Sequence, residues 1–342
     1  MRPGRSIVLL RLLVVAGLFV LTPLQNAAAV EPDAVPFLAA DGQRSYGAFL
    51  TQGFHRVFAI SPGGGYGSGW GHPSIDVAKK TAFENCQRRD PTGTCAMYSV
   101  NGYVVWGQDA GAIPRYAAAP KLGLFLPSDY YPVRGPKAAA GVIIWSHGYF
   151  RGIDATQGQP QGYVSQFHAA GWDVYRYNRE YIDQMHKEIA EMVDSIVAAR
   201  RAGYAKVVLA GQSHGAWISL EAFARDAPID GVISISPATH GSPPSSGARS
   251  DFRELLRHMR KRNSADIPVV IALFENDSYD PGGRFADIPD ILGDTTIPLY
   301  FIDRPAELTG HGAGNNSKFN ERFGPCITRF IVETPHAPGD CR

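Results

Sequence analysis

Residues 206–215 read Lys-Val-Val-Leu-Ala-Gly-Gln-Ser-His-Gly. The run Lys206–Ala210 is short, apolar and β-branched, the composition of a strand buried on both faces of a parallel sheet. Gly211-Gln212-Ser213-His214-Gly215 follows at once, and His214–Arg225 continues as an apolar helix. A serine in G-x-S-x-G at such a junction is set on a tight, strained turn. The glycines at Gly211 and Gly215 leave room for that turn and let the helix pack close to the strand.

Working outward, strands and helices alternate from Lys121 onward. Strands read over 121–126, 141–145, 172–177, 206–210, 231–236, 268–274 and 298–302. Helices read over 161–170, 181–201 and 214–225. The helix over 181–201 carries Ile182, Met185, Ile189, Met192, Val193 and Ile196 at helical spacing. A terminal helical region carries Phe319, Phe323, Ile327, Phe330 and Ile331, interrupted at Gly324-Pro325. Residues 239–266 read as irregular and partly helical, in the position of an insertion that forms a partial cap. The alternation predicts an α/β fold, a mostly parallel sheet with helices on both faces and right-handed crossovers. Reactive groups then belong on loops at the carboxyl ends of the strands.

The first 115 residues differ. Arg2 and Arg5, the apolar stretch Leu12–Leu21 and Ala27-Ala28-Ala29 read as a cleavable signal peptide over 1–29. The expectation is a periplasmic or secreted protein with no transmembrane anchor after cleavage. Cleavage removes three of the 33 basic residues and none of the 32 acidic ones, which gives no electrostatic reason to bind nucleic acid. Hydrophobic residues at 44% and charged residues at 19% are ordinary for a folded enzyme.

Residues 30–115 read as a small α+β domain. Its parts are a strand at Val57–Ser61, a glycine-rich turn over Gly63–Gly71, and a helix over Ile75–Cys86 capped by Ser74. Strands at Ala96–Val100 and Tyr103–Trp106 then flank an Asn101-Gly102 turn. Residues 107–120 read as a linker, and the chain from 116 to 342 as the second domain. The even cysteine count in an exported chain predicts two disulfides. Of three pairings, proximity favours Cys86–Cys95 and Cys326–Cys341 over the alternatives. No C-x-x-C or histidine neighbour gives these residues a metal-binding pattern.

Three further signals fall at strand ends. His147-Gly148 follows the strand at 141–145. Glu275-Asn276-Asp277-Ser278-Tyr279-Asp280 follows the strand at 268–274. Gly310-His311-Gly312 lies beyond the strand at 298–302. With the elbow serine, the chain order serine, acid, histidine resembles the α/β-hydrolase superfamily over about residues 118–335. The resemblance implies Ser213 as nucleophile, His311 as general base and Asp277 as the acid that orients it, with Asp280 as the alternative acid. It implies oxyanion donors at the backbone N–H groups of His214 and Tyr149, with His147 shaping the oxyanion loop. It also implies no metal and no cofactor. Arg284, four residues after Asp280, is expected to pair with it and leave Asp277 to His311. Trp217 reads as helix packing.

Residues 40–110 resemble, more weakly, small bacterial secreted domains of unknown function, through Gly67, Trp70, Ala78, Ala82, Cys86 and Cys95. The expected activity is an exported serine hydrolase cleaving a carboxylic ester through an acyl-enzyme, on a small-molecule or envelope-derived acyl substrate. The alternatives are an acyltransferase or thioesterase on the same site, or a non-catalytic envelope-binding protein on a hydrolase scaffold. Oligomeric state is left open.

Overall fold

The computed structural model describes residues 32–337 apart from 51, 53–54, 73, 108–118, 129–130, 132, 151–152, 155–159, 180–183 and 240–246. The signal-peptide reading, most of the linker, Cys341 and part of the 239–266 segment lie outside the described residues.

The N-terminal unit begins with a helix the sequence reading did not assign, α1 (Ala40–Leu50). Tyr46 and Phe49, three apart, place their rings 5.0 and 5.3 Å from Phe58 on β1 (Val57–Ile60). The segment expected as a glycine-rich turn is a turn only as far as Gly65. Its second half is a strand, β2 (Tyr66–Gly69), paired antiparallel with β1. The glycines serve close packing there. A Cβ on Gly67 would sit 2.2 Å from the Ala82 carbonyl oxygen, and one on Gly69 would sit 2.2 Å from that of Ala78. Both carbonyls belong to α2 (Ile75–Arg89), which starts where Ser74 Oγ accepts the Val77 N–H at 3.3 Å. β3 (Ala96–Val100) and β4 (Tyr103–Val104) complete a sheet ordered β2-β1-β3-β4. A Cys86–Cys95 disulfide ties the last turn of α2 to the approach to β3. Cys326 is also disulfide-bonded.

The larger unit contains β5 (Phe125–Pro127), β6 (Val142–Ser146), the two-residue strands β7 (Tyr149–Phe150) and β8 (Ile153–Asp154), β9 (Asp173–Tyr177) and β10 (Val207–Gln212). After these come β11 (Gly231–Ile235), β12 (Val269–Leu273) and β13 (Leu299–Asp303). Its helices are α3 (Val164–Ala169), α4 (Met185–Ala202), α5 (His214–Ala224), α6 (Ala248–Arg262), α7 (Arg284–Leu292) and α8 (Ser317–Val332). The main sheet runs β13-β12-β11-β10-β6-β9-β5, parallel throughout except where β5 meets β9. From β6 the chain steps outward to β9, then returns to the other side of β6 with β10. The order therefore switches between β6 and β10, where sheets of this kind open a crevice at their carboxyl ends.

Alternate residues of each strand serve opposite layers. Ile144, Leu209, Val232 and Ile271 pack with Met192 of α4, Trp217 and Phe223 of α5 and Phe252 of α6. Ile143, Val208, Ile233 and Val270 pack with Phe167 of α3 and with Phe319, Ile327 and Phe330 of α8. Apolar contact on both faces is why these strands read as unbroken apolar runs.

Two expectations are corrected. The helical part of 239–266 is not a cap. It forms α6, the crossover between β11 and β12, and it buries Phe252, Leu255, Leu256 and Met259 in the core. Nor is the terminal helix broken at Gly324-Pro325. Pro325 sits on the solvent side of α8, as does Glu321 four residues earlier, whose carbonyl loses its helical partner. No helix among the described residues is long and apolar enough to cross a membrane.

Candidate active site

Ser213 stands between β10 and α5 with φ 57° and ψ −121°, a conformation that costs energy in any residue with a Cβ. The surroundings hold it there. Its N–H donates to the Ile235 carbonyl at 3.0 Å, and its own carbonyl accepts from the N–H groups of Trp217 and Ala238, each at 3.1 Å. The flanking glycines are required by space. A Cβ on Gly211 would lie 2.4 Å from the carbonyl carbon of Gly215, and one on Gly215 would lie 2.0 Å from the Ser146 carbonyl oxygen.

His311 joins the serine to an acid. Its Nε2 lies 2.7 Å from Ser213 Oγ, and its Nδ1 lies 2.8 and 3.0 Å from the two carboxylate oxygens of Asp277. A carboxylate only accepts, so Nδ1 carries the proton and Nε2 offers its lone pair to the serine hydroxyl. Asp277 is further fixed by the Tyr279 N–H, which donates to Oδ1 at 2.8 Å. The Tyr279 ring lies against the imidazole, centroids 4.3 Å apart.

Asp280 is placed elsewhere. It accepts the Gly282 N–H at 2.8 Å and faces Arg284 Nε at 3.8 Å. Burial raises its carboxyl above the usual range, against the pull of the Arg284 charge. Arg284 is only 2% exposed and donates to the Pro237 carbonyl at 2.6 Å. Its guanidinium sits over the rings of Phe252 (4.9 Å) and Trp217 (5.8 Å), so Trp217 is a packing residue.

The loop after β6 lies over Ser213. A Cβ on Gly148 would come within 3.2 Å of Ser213 Cβ. His147 is buried beneath this loop. Its Nε2 donates to the Tyr177 carbonyl at 3.2 Å, and its Nδ1 accepts from Arg179 Nη2 at 2.9 Å. The same Nη2 donates to the Gly148 carbonyl at 3.2 Å, which pins the loop in place. Tyr149 follows, at the start of the β7–β8 hairpin. The His214 N–H, at the first position of α5, has no acceptor within the helix.

One residue of the site escapes a sequence reading. Glu188, in the first turn of α4 and fully buried, sets Oε2 2.6 Å from His214 Nε2, while His214 Nδ1 donates to the Thr239 carbonyl. The signal in the sequence is position: Glu188 falls between Met185, Ile189 and Met192 on the apolar stripe of its helix.

Sheet order, elbow and the Ser213–His311–Asp277 chain together are those of the α/β-hydrolase fold. No family model matches the sequence, and no curated protein does. Among solved structures, the chain is similar to a truncated carbohydrate esterase from gut microbiota. Identity is 15% over 59% of this chain and 88% of that one, with a TM-score of 0.41. It is similar to Est1E from Butyrivibrio proteoclasticus at 14% identity over 58% and 90%, TM-score 0.39. It is also similar to an acylaminoacyl peptidase of Pyrococcus horikoshii at 11% identity over 60% and 39%, TM-score 0.45.

Proposed function

We propose that the chain is an exported serine hydrolase that cleaves a carboxylic ester through an acyl-enzyme on Ser213. The observation that carries this reading is the continuous hydrogen-bonded chain from Ser213 Oγ through His311 to Asp277, on a strained elbow at the switch point of the sheet. His311 Nε2 takes the serine proton as Oγ attacks the acyl carbonyl. The oxygen that gains charge is met by the N–H of His214 and by an N–H of the loop beginning at His147, with Tyr149 the candidate. Asp277 holds the imidazole tautomer and stabilises the imidazolium. That imidazolium protonates the departing alcohol. Water, deprotonated by the same nitrogen, then releases the acid and restores Ser213. The disulfide at Cys86–Cys95 supports an oxidising compartment, in keeping with a signal peptide over residues 1–29 and a periplasmic or secreted location.

The test is labelling of the mature protein by a fluorophosphonate probe, beside Ser213→Ala. Labelling mapped to Ser213 and absent from the variant is expected, together with turnover of short-chain nitrophenyl esters. A folded protein that neither labels nor turns over any ester would overturn the reading.

A further inference from the structure

The N-terminal unit has a cleft of about 320 Å³ lined by Ser45 of α1, by Tyr66, Gly67 and Ser68 of β2, and by Asn85, Arg88 and Arg89 of α2. It runs along the free edge of β2, between the two helices. The strand register shows which groups face it. Ser61 N–H donates to the Gly65 carbonyl at 2.8 Å, and the next pair, Ile60 and Tyr66, is a non-hydrogen-bonded pair of the antiparallel ladder. Phe58 and Ser68, two residues on, form another. The backbone groups of Tyr66 and Ser68 therefore point away from β1, into the cleft. Their carbonyls bear this out: that of Tyr66 accepts from Arg89 Nη1 at 3.2 Å and that of Ser68 from Asn85 Nδ2 at 2.7 Å. Their two N–H groups point the same way, about 6.6 Å apart by strand rise, and meet no acceptor among the described residues.

The cleft is thus rich in donors and positive. Arg89 lies over the Tyr66 ring at 4.3 Å, and Arg88 donates to Asn85 Oδ1. Neither guanidinium meets a carboxylate among the described residues, and each has N–H groups left over from its five. Among the described residues the carboxylate hydrogen-bonded to a lining residue is that of Asp41, engaged by the Tyr66 hydroxyl at 3.0 Å. We infer that this cleft binds a ligand through a single carboxylate, held by the forks of Arg88 and Arg89 and by one outward N–H of β2. One feature favours a carboxylate over a phosphate. Both arginines stand in the last turn of α2, where the negative end of the helix dipole disfavours a doubly charged anion. The planar guanidinium fork takes either anion in two-point contact, so charge is what separates them. The size suits a small group or the end of a chain. This inference does not rest on Ser213 chemistry.

The carboxylate could belong to a peptide C-terminus or to an acidic sugar, and calorimetric titration of the full mature protein separates them. The probes are tetra-alanine with a free C-terminus against its amide, digalacturonate against its methyl ester, and inorganic phosphate. Saturable binding of one free carboxylate and not of its blocked form is expected. Arg88→Gln alone, or with Arg89→Gln, should weaken that binding by roughly tenfold or more. Arg88→Lys should fall between, and Ser213→Ala should bind as the parent does. The inference is overturned if neither carboxylate binds, if phosphate binds as well, or if Arg88→Gln/Arg89→Gln of unchanged circular dichroism and melting temperature binds equally.

Discussion

The Gly310 N–H donates to the Glu275 carbonyl over 2.7 Å, and Glu275 bridges to Thr309 beside it. This backbone contact makes one unit of the loop that carries Asp277 and the loop that carries His311. Arg304 closes the same unit, with Nη1 3.0 Å from the Glu275 carboxylate and the guanidinium against the Phe285 ring. The acid that reaches His311 is therefore decided by the loop, and the loop turns Asp277 inward and Asp280 toward Arg284.

From this follows an asymmetry between the two acids. Asp277→Asn should lower kcat on a nitrophenyl ester by roughly a thousandfold or more with little change in KM, because the wrong imidazole tautomer is then held. Asp280→Asn should cost less than roughly tenfold. Steady-state kinetics of both variants decide it, and comparable losses would hand the role to Asp280.

Glu188 should matter through the side chain it holds, that of His214. Its Oε2 holds the imidazole of His214, whose N–H is the proposed oxyanion donor, and its Oε1 is buried with no hydrogen-bond partner among the described residues. Glu188→Ala leaves the His214 ring without its carboxylate. The expected result is a loss of about 3 kcal/mol in stability. A fall in kcat of roughly tenfold or more should accompany it, with KM nearly unchanged. Urea unfolding and initial-rate kinetics on the same preparation separate the two effects. A stability loss without a kcat loss would leave Glu188 a purely structural residue.

The parallel sheet and its elbow were legible because one physical cause, burial on both faces, writes a continuous apolar run for each strand. Ser213 and His311 are legible because glycines flank them beyond such runs, and the acid cluster because it starts where its apolar run ends. Other features left weaker marks. The α6 segment reads as an irregular insertion because its charged residues, Arg257 and Arg260 to Arg262 among them, mask an apolar stripe of Phe252, Leu255, Leu256 and Met259. The β2 segment reads as a turn because glycine is poor strand material, and what makes it a strand is the close approach of α2, a tertiary contact. Sequence alone left Asp277 and Asp280 as alternatives, since both stand within reach of the strand end and only the fold of the loop separates them.

Asp287 of α7 gives a prediction on acid stability. Its side chain is nearly fully buried and accepts from Arg249 at 2.8 and 2.9 Å, and also from Arg253. The Arg249 hydrogen bonds, then that of Arg253, hold its carboxyl below the ordinary value of 3.8. A carboxyl lowered in the folded state favours folding above its unfolded value, and that contribution is lost as pH falls through 3.8 toward the folded value. Asp287→Asn should be less stable by on the order of 1–3 kcal/mol near neutrality. The gap to the parent should close at low pH. Urea midpoints at about pH 7, 5 and 3 test this, and a gap of constant size would remove Asp287 from the acid response.

Tyr279 should tune the base. Its ring lies 4.3 Å from the His311 imidazole at a tilt of 47°, close enough for the aromatic face to stabilise the imidazolium of the proposed reaction. The Asp277 contact made by Tyr279 is from its backbone N–H, so changing the side chain leaves that bond in place. Tyr279→Phe keeps the ring and should stay within about threefold of the parent in kcat. Tyr279→Leu keeps bulk without the quadrupole and should lose roughly three- to thirtyfold. The loss belongs in kcat if the ring acts on the charged transition state, and in KM if it serves only as a wall for the acyl group. Saturation kinetics on one ester with the three proteins resolve the two roles. A Leu variant equal to the parent in both constants would show that the stacking is packing alone.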